Sequence, residues 1–156
     1  MDLITVEELH QLKYRYLRAL DLKLWDEFAD TLTPDATAHY GRRLDFTSRA
    51  AIVGYMSTTV GPDIITVHHV QQPQIQVDGD TATGRWALED TVIVTGQQLL
   101  IRGAAFYQDR YRRDDGVWRI SHTGYERIYE AMIALGDLPS WQLLENRWAA
   151  DAPVDH

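Results

Sequence analysis

Two histidines stand side by side in the run Ile64-Ile65-Thr66-Val67-His68-His69-Val70, and imidazole is the side chain best suited to moving protons near neutral pH. Five of these seven residues are β-branched and none is charged, so the run reads as a well-covered strand. Successive side chains of a strand point to opposite faces. Whichever face is the core, one of His68 and His69 points into it. An inward imidazole is either a satisfied core residue or the working base of a site, and its partners decide which. Two carboxylates and a cation are candidates for that company. Asp21 lies beside the apolar stripe of a helix, near the end where the macrodipole disfavours an acid. Asp90 alternates with Trp86, Leu88, Val92 and Val94 on an apolar strand face. There an unpaired carboxylate is costly, so its pKa rises, a donor sits nearby, or water reaches it. Arg127 shares a strand face with Tyr125 and Tyr129 and is by itself an ordinary interface cation.

The elements that must position these residues follow from the periodicity. Thr5-Val6-Glu7-Glu8 has capping-box spacing, and Val6, Leu9, Leu12, Tyr16, Leu20 and Leu24 mark one face of a helix running to about Leu24. A short helix over 25–31 is ended by Thr33-Pro34-Asp35. Residues 36–40 read as a strand with a turn at Gly41, and Ser48 caps a third helix closed by Gly61-Pro62. From Ile64 the period changes from 3.6 to 2. Long strands are predicted over 64–77, 81–95, 98–113 and 117–130, joined by short turns and therefore antiparallel. Leu138-Pro139-Ser140-Trp141 is read as the start of a short helix through Trp148, and the last residues as loose. Helices followed by a meander of long strands predict an α+β fold, a strongly curved and largely antiparallel sheet whose concave side the helices close. A cavity between helix and sheet is expected there.

Composition removes several classes of function. The 156 residues fit one domain. Cysteine is absent, which excludes disulfides, thiolate nucleophiles and cysteine-based metal sites. A formal charge of −8 argues against nucleic acid or an anionic membrane surface as partner. The start of the chain shows no secretory pattern and no apolar run approaches a membrane span, so a soluble cytoplasmic domain is expected. Metal ligation by His68, His69 and His39 is disfavoured because neighbouring strand side chains diverge. Gly61-Pro62 and Gly103 make no phosphate loop, and no serine lies in a nucleophile elbow. Eight Tyr and five Trp suit a lined pocket or a subunit interface.

The runs KYRYLRALDLKLW, ITVHHV, ATGRWALEDT and RGAAFYQDRY…GVWRISHTGYERIYE resemble the SnoaL-like branch of the nuclear transport factor 2-like superfamily. Within that branch the runs resemble the bile acid 7α-dehydratases, and more distantly the scytalone dehydratases and hexachlorocyclohexane dehydrochlorinases. The resemblance spans residues 5–130 and leaves 131–156 as a C-terminal extension of a single domain. It implies a cone-shaped α+β barrel with three N-terminal helices and a site inside the cone. It makes His68 the inward imidazole, Asp21 its carboxylate partner, Tyr16 a phenol donor and Asp90 a second acid. Tyr40, Arg127, Trp86 and Tyr125 would contact the substrate. His69, Gln71 and a shorter stretch around Gly96–Leu100 depart from the dehydratase pattern, close to where a substrate is selected.

A base held by a carboxylate, phenol donors and a second acid together describe elimination of water, or a double-bond shift, next to a carbonyl. The expected activity is therefore a cofactor-independent dehydratase acting on a small hydrophobic, steroid- or polyketide-like substrate, with no metal. An isomerase or polyketide cyclase using the same dyad, and a non-catalytic ligand-binding module, are the alternatives. An antiparallel sheet with helices on one face leaves the other needing cover, and the relatives imply a homo-oligomer, trimer favoured over dimer.

Overall fold

A computed structural model describes residues 2–150. Helix α1 (Leu3–Asp21) leads into α2 (Trp25–Asp30), strand β1 (Leu32–Tyr40), strand β2 (Leu44–Phe46) and helix α3 (Arg49–Thr59). Four long strands follow: β3 (Ile64–Asp78), β4 (Thr81–Val94), β5 (Leu99–Asp114) and β6 (Val117–Ala134). The six strands form one sheet in the order β2-β1-β6-β5-β4-β3. All neighbours are antiparallel except β1 and β6, which run parallel. The three helices pack on one face of this sheet, with α1 touching both the edge strand β3 and the central β6. This is the expected α+β cone.

Helix α1 begins one turn earlier than the capping box suggested. Asp2 is the N-cap and accepts from the Ile4 amide at 3.0 Å, while the Thr5 hydroxyl, buried inside the first turn, donates to Asp2 Oδ2 at 2.6 Å. The helix also stops at Asp21 rather than Leu24. The Lys23 amide bonds the Leu20 carbonyl and the Leu24 amide bonds Ala19, which is a Schellman closure with Lys23 in the left-handed region at φ 56°. A lysine there costs about 1–2 kcal/mol. Its ammonium offsets this by donating to the Ile64 carbonyl at 2.7 Å and lying 4.2 Å from the Trp148 ring centroid. The closure thus ties the end of α1 to the start of β3.

Ser48 caps α3 as expected, accepting from Ala51 at 3.1 Å. Strand β1 starts at Leu32, ahead of Thr33-Pro34, which had been read as a break. Pro34 falls within an irregularity between the pairings Leu32↔Ile120 and Thr37↔His122, where its missing N–H is tolerated. The short β2 had no signal in the sequence. Residue 138 onward does not form the expected helix: a 3₁₀ turn at Leu135–Asp137 is followed by turns and irregular chain. Leu143 and Leu144 are exposed there, Leu144 at 85%, and a helix this short without a buried face is not stable. The loose end predicted for the last residues falls on 151–156, outside the described residues. The core is built from Leu9, Leu12 and Leu20 of α1, Phe28 of α2, and Leu88 and Ile120 of the sheet, each burial contributing about 1.5–3 kcal/mol.

Candidate active site

The alternation of β3 resolves the histidine pair. His68 lies on the helix-covered face with its side chain 13% exposed, and His69 is exposed on the other face. Because α1 ends at Asp21 beside β3, that carboxylate meets His68 twice. Its Oδ1 is 2.6 Å from His68 Nδ1, and its Oδ2 accepts the His68 backbone amide at 2.8 Å. Thr66, two residues earlier on the same face, donates its hydroxyl to Asp21 Oδ1 at 2.9 Å. Thr66 was not singled out in the sequence, although its parity with His68 places it there. A carboxylate at Nδ1 selects the tautomer with the proton on that nitrogen, leaving Nε2 as an acceptor. An open groove of about 520 Å³ along α1 and the edge strand β3 is lined by Tyr14, Leu17, Arg18, Asp21, Leu22, His68, His69 and Val70; Tyr16, Tyr40, Asp90, Tyr125 and Arg127 do not line it. A larger one of about 980 Å³ runs along the outer side of α1, past Leu3, Ile4 and Trp118, and holds none of the candidate residues.

Register places Asp90 of β4 directly opposite His68 on the same face, where facing Cβ atoms stand roughly 5 Å apart. Of the outcomes open to a carboxylate on that face, the structure has a donor beside it. Arg127 bonds Asp90 in bidentate fashion, Nη1–Oδ1 at 2.5 Å and Nη2–Oδ2 at 2.9 Å. This is the arrangement of an ionised pair, and the Asp90 bonds push the Arg127 pKa further up. Arg127 reaches β4 from β6 across the intervening β5, and two features make this possible. The pairing slips between Ala104↔Tyr129 and Ala105↔Arg127, a bulge at Ile128 that re-aims the strand. On β5, Gly103 leaves the path clear, since a Cβ there would stand 2.4 Å from Arg127 Nη1. The same bulge corrects the expectation that Tyr129 shares a face with Tyr125 and Arg127: the extra residue turns Tyr129 to the outside, 51% exposed.

The phenols form a chain beside this pair. Tyr16 of α1 and Tyr40 of β1 bond hydroxyl to hydroxyl at 2.5 Å. Tyr40 stacks on Tyr125 at 5.8 Å, and the Arg127 guanidinium lies 4.8 Å from the Tyr125 centroid. Burial, first among the causes, raises the pKa of Tyr16, Tyr40 and Tyr125, so all three remain protonated donors. In the Tyr16–Tyr40 pair one hydroxyl donates to the other, which keeps one O–H free.

Trp86 stands apart from this group and is a correction to the expected substrate contacts. It is sealed in the core, its indole donating to the Tyr111 hydroxyl at 2.9 Å and its ring edge-on to His10 and Tyr14 of α1. His39 is likewise remote, bonded through Nδ1 to Asp45 at 2.6 Å. Sequence reasoning also passed over Lys13 and Asp109. Both side chains are 0% exposed and lie 2.8 Å apart.

Comparison with known proteins agrees with this geometry at the level of fold. The SnoaL-like domain model matches residues 1–124. An uncharacterised protein of Mycobacterium tuberculosis (strain H37Rv) is 29% identical over 129 residues, covering 81% of this chain and 87% of the relative. A crystal structure of a hexachlorocyclohexane dehydrochlorinase of type 2 superposes with a TM-score of 0.78 at 19% identity, over 85% of this chain and 90% of the other. A protein of Novosphingobium aromaticivorans assigned as a scytalone dehydratase gives 0.76 at 19% identity, over 83% and 88%. At that identity the two structures speak for the fold alone.

Proposed function

The chain belongs to the SnoaL-like domain family, and from that premise we propose that it is a cofactor-independent lyase, a dehydratase acting on a hydrophobic carbonyl compound of steroid- or polyketide-like shape. The observation that carries this reading is the 2.6 Å contact between His68 Nδ1 and Asp21 Oδ1 beside an open groove of about 520 Å³. Asp21, itself fixed by Thr66 and by the His68 amide, holds the imidazole with Nε2 available to a guest.

In the proposed reaction, His68 Nε2 takes the proton from the carbon next to the substrate carbonyl. The electron pair of that C–H bond moves to the carbonyl oxygen, which the free O–H of the Tyr16–Tyr40 pair meets once the guest enters past His68; in this structure both phenols are buried and lie outside the groove. One such donor is worth about 3–4 kcal/mol in the transition state. Asp21 stabilises the imidazolium. The enolate then expels the β-hydroxyl, the C–O bond breaks, and the imidazolium returns its proton to the departing oxygen as water. Asp90, occupied by Arg127 on both oxygens, serves as the anchor of that guanidinium rather than as the acid. Arg127 and Tyr125 are read as substrate contacts. Nothing in these steps calls for a metal or an organic cofactor. An isomerase would use the same first step and return the proton to another carbon, whereas in a cyclase the enolate carbon would attack a second carbonyl of the substrate, whose oxygen takes the proton.

A non-catalytic binding module is the second reading, favoured by the buried Tyr16, Trp86, Tyr107 and Tyr111 that fill much of the interior. The test is a panel of 3-oxo steroids and hydroxylated polyketide-type ketones, read by mass spectrometry for loss of one water. Turnover by the native chain and none by a folded His68→Ala variant is expected. No reaction with any member of the panel would shift the assignment to the binding module. The outer sheet face, with exposed Phe106, Ile128 and Tyr129, is read as the surface of a homo-oligomer, a trimer before a dimer.

A further inference from the structure

Inside the cone, away from Asp21 and His68, lies a buried ion pair to which the proposed reaction gives no part. Lys13 Nζ of α1 is 2.8 Å from Asp109 Oδ2 of β5, with neither side chain exposed. Asp109 takes two further bonds: the Tyr111 hydroxyl donates to Oδ2 at 2.9 Å and the Thr123 hydroxyl to Oδ1 at 2.7 Å. The ammonium also sits 3.4 Å from the Tyr107 ring centroid and 4.8 Å from that of Tyr16. Such a pair is a poor source of stability, because desolvating both charges costs about as much as their attraction returns. What it supplies is geometry. The apolar face of α1 is built from leucines (Leu9, Leu12, Leu17, Leu20), and a leucine ridge packs acceptably in more than one register. A charge buried in the sheet accepts its counter-charge at one place only.

We infer that Lys13 and Asp109 are positioning residues that fix the rotation and axial register of α1, and through it the alignment of Asp21 with His68 and the placement of Tyr16. The two anchors are eight residues apart on one helix, about 12 Å along its axis. One holds α1 to β5 and the other holds it to β3. Tyr16 lies one turn beyond Lys13, and its hydroxyl reaches Tyr40 at 2.5 Å. A helix rotated by one residue turns through about 100° and carries Asp21 out of reach of His68. With the Lys13 anchor in place, such a rotated packing would strand an ammonium in the core, so it is not populated. The consequence for catalysis rests on the lyase reading above, whereas the alignment itself does not.

The experiment replaces both charges together, Lys13→Met with Asp109→Asn, so that no unpaired charge is buried and the Tyr111 and Thr123 hydroxyls keep a hydrogen-bond partner. Imidazole ¹⁵N–¹H correlation spectra report the His68 tautomer without any substrate, alongside thermal unfolding and kcat and KM on whichever panel compound turns over. Expected are a melting temperature at or above that of the native chain, loss of the Nδ1-protonated signature of His68, and a fall in kcat of about 100-fold with KM little changed. Lys13→Arg, which keeps the charge, should retain the signature. A double variant with the native His68 signature overturns the inference. So does one that fails to fold, which makes the pair a stabilising element only. A native chain that turns over nothing while the signature still depends on Lys13 and Asp109 defeats the lyase reading and leaves the positioning role standing.

Discussion

Asp21 has more to do than hold a proton in place. Its Oδ1 takes both the His68 imidazole and the Thr66 hydroxyl, and its Oδ2 takes the His68 amide, so ring and backbone of the base are held by one side chain. Asp21→Asn keeps the shape but presents an amide where the second oxygen was, and it no longer stabilises an imidazolium. Steady-state kinetics should show kcat reduced on the order of 10²–10⁴-fold with KM nearly unchanged; a native kcat would remove Asp21 from the mechanism. Much of this was legible in the residues. Strand parity alone required one of the paired histidines to face inward, and the apolar neighbours of Asp90 left it a raised pKa, a nearby donor or water. Thr66 shares the parity of His68, and Lys13 interrupts the stripe between Leu9 and Tyr16. Both could have been read from spacing. That Arg127 would be the donor could not, because its reach depends on a bulge.

That bulge shows how elements rather than residues decide which groups meet. Counting by two along β6 puts Tyr129 beside Arg127, but the extra residue at Ile128 reverses the parity after it. Gly103, which the sequence offered as an isolated glycine, is the gap through which a β6 side chain crosses β5. Gly103→Ala should displace Arg127 and leave the buried Asp90 carboxylate without its counter-ion. A destabilisation of about 3 kcal/mol is expected in urea unfolding, at the low end for a buried pair because Arg127 is partly exposed. In an Arg127→Leu background the same substitution should cost less but not nothing, because the new Cβ also stands 2.9 Å from the Tyr129 carbonyl; equal cost in both backgrounds would mean the glycine serves the backbone alone. The end of α1 was hidden for a similar reason. The Schellman closure places Lys23, not glycine, in the left-handed region, and the contacts that make this tolerable come from Ile64 and Trp148, far along the chain.

Across the whole molecule, period and turn spacing were enough to give the helices, the meander of long strands and a curved sheet closed by helices, while the cone was what the family resemblance implied. The tail from residue 138 was misread because its apolar residues suggested a helix face with nothing to bury it. The outer face raises a similar question at larger scale. Ile128 is 61% exposed and Phe106 50%, and both line a shallow depression of about 270 Å³ with Ala87 and Ala104. Light scattering should give a multiple of the 17.9 kDa chain mass, three copies before two, and Phe106→Asp with Ile128→Asp should lower it. A native monomer would contradict the oligomer.

The central claim is that His68 pulls a proton from carbon. The most direct measurement uses a saturated ketone from the panel that binds but has no hydroxyl to lose, incubated in deuterium oxide and followed by NMR at the position next to the carbonyl. The account predicts deuterium entering that position with the native chain and not with His68→Ala. Exchange at the same rate with both, or none with any ketone that binds, would contradict it.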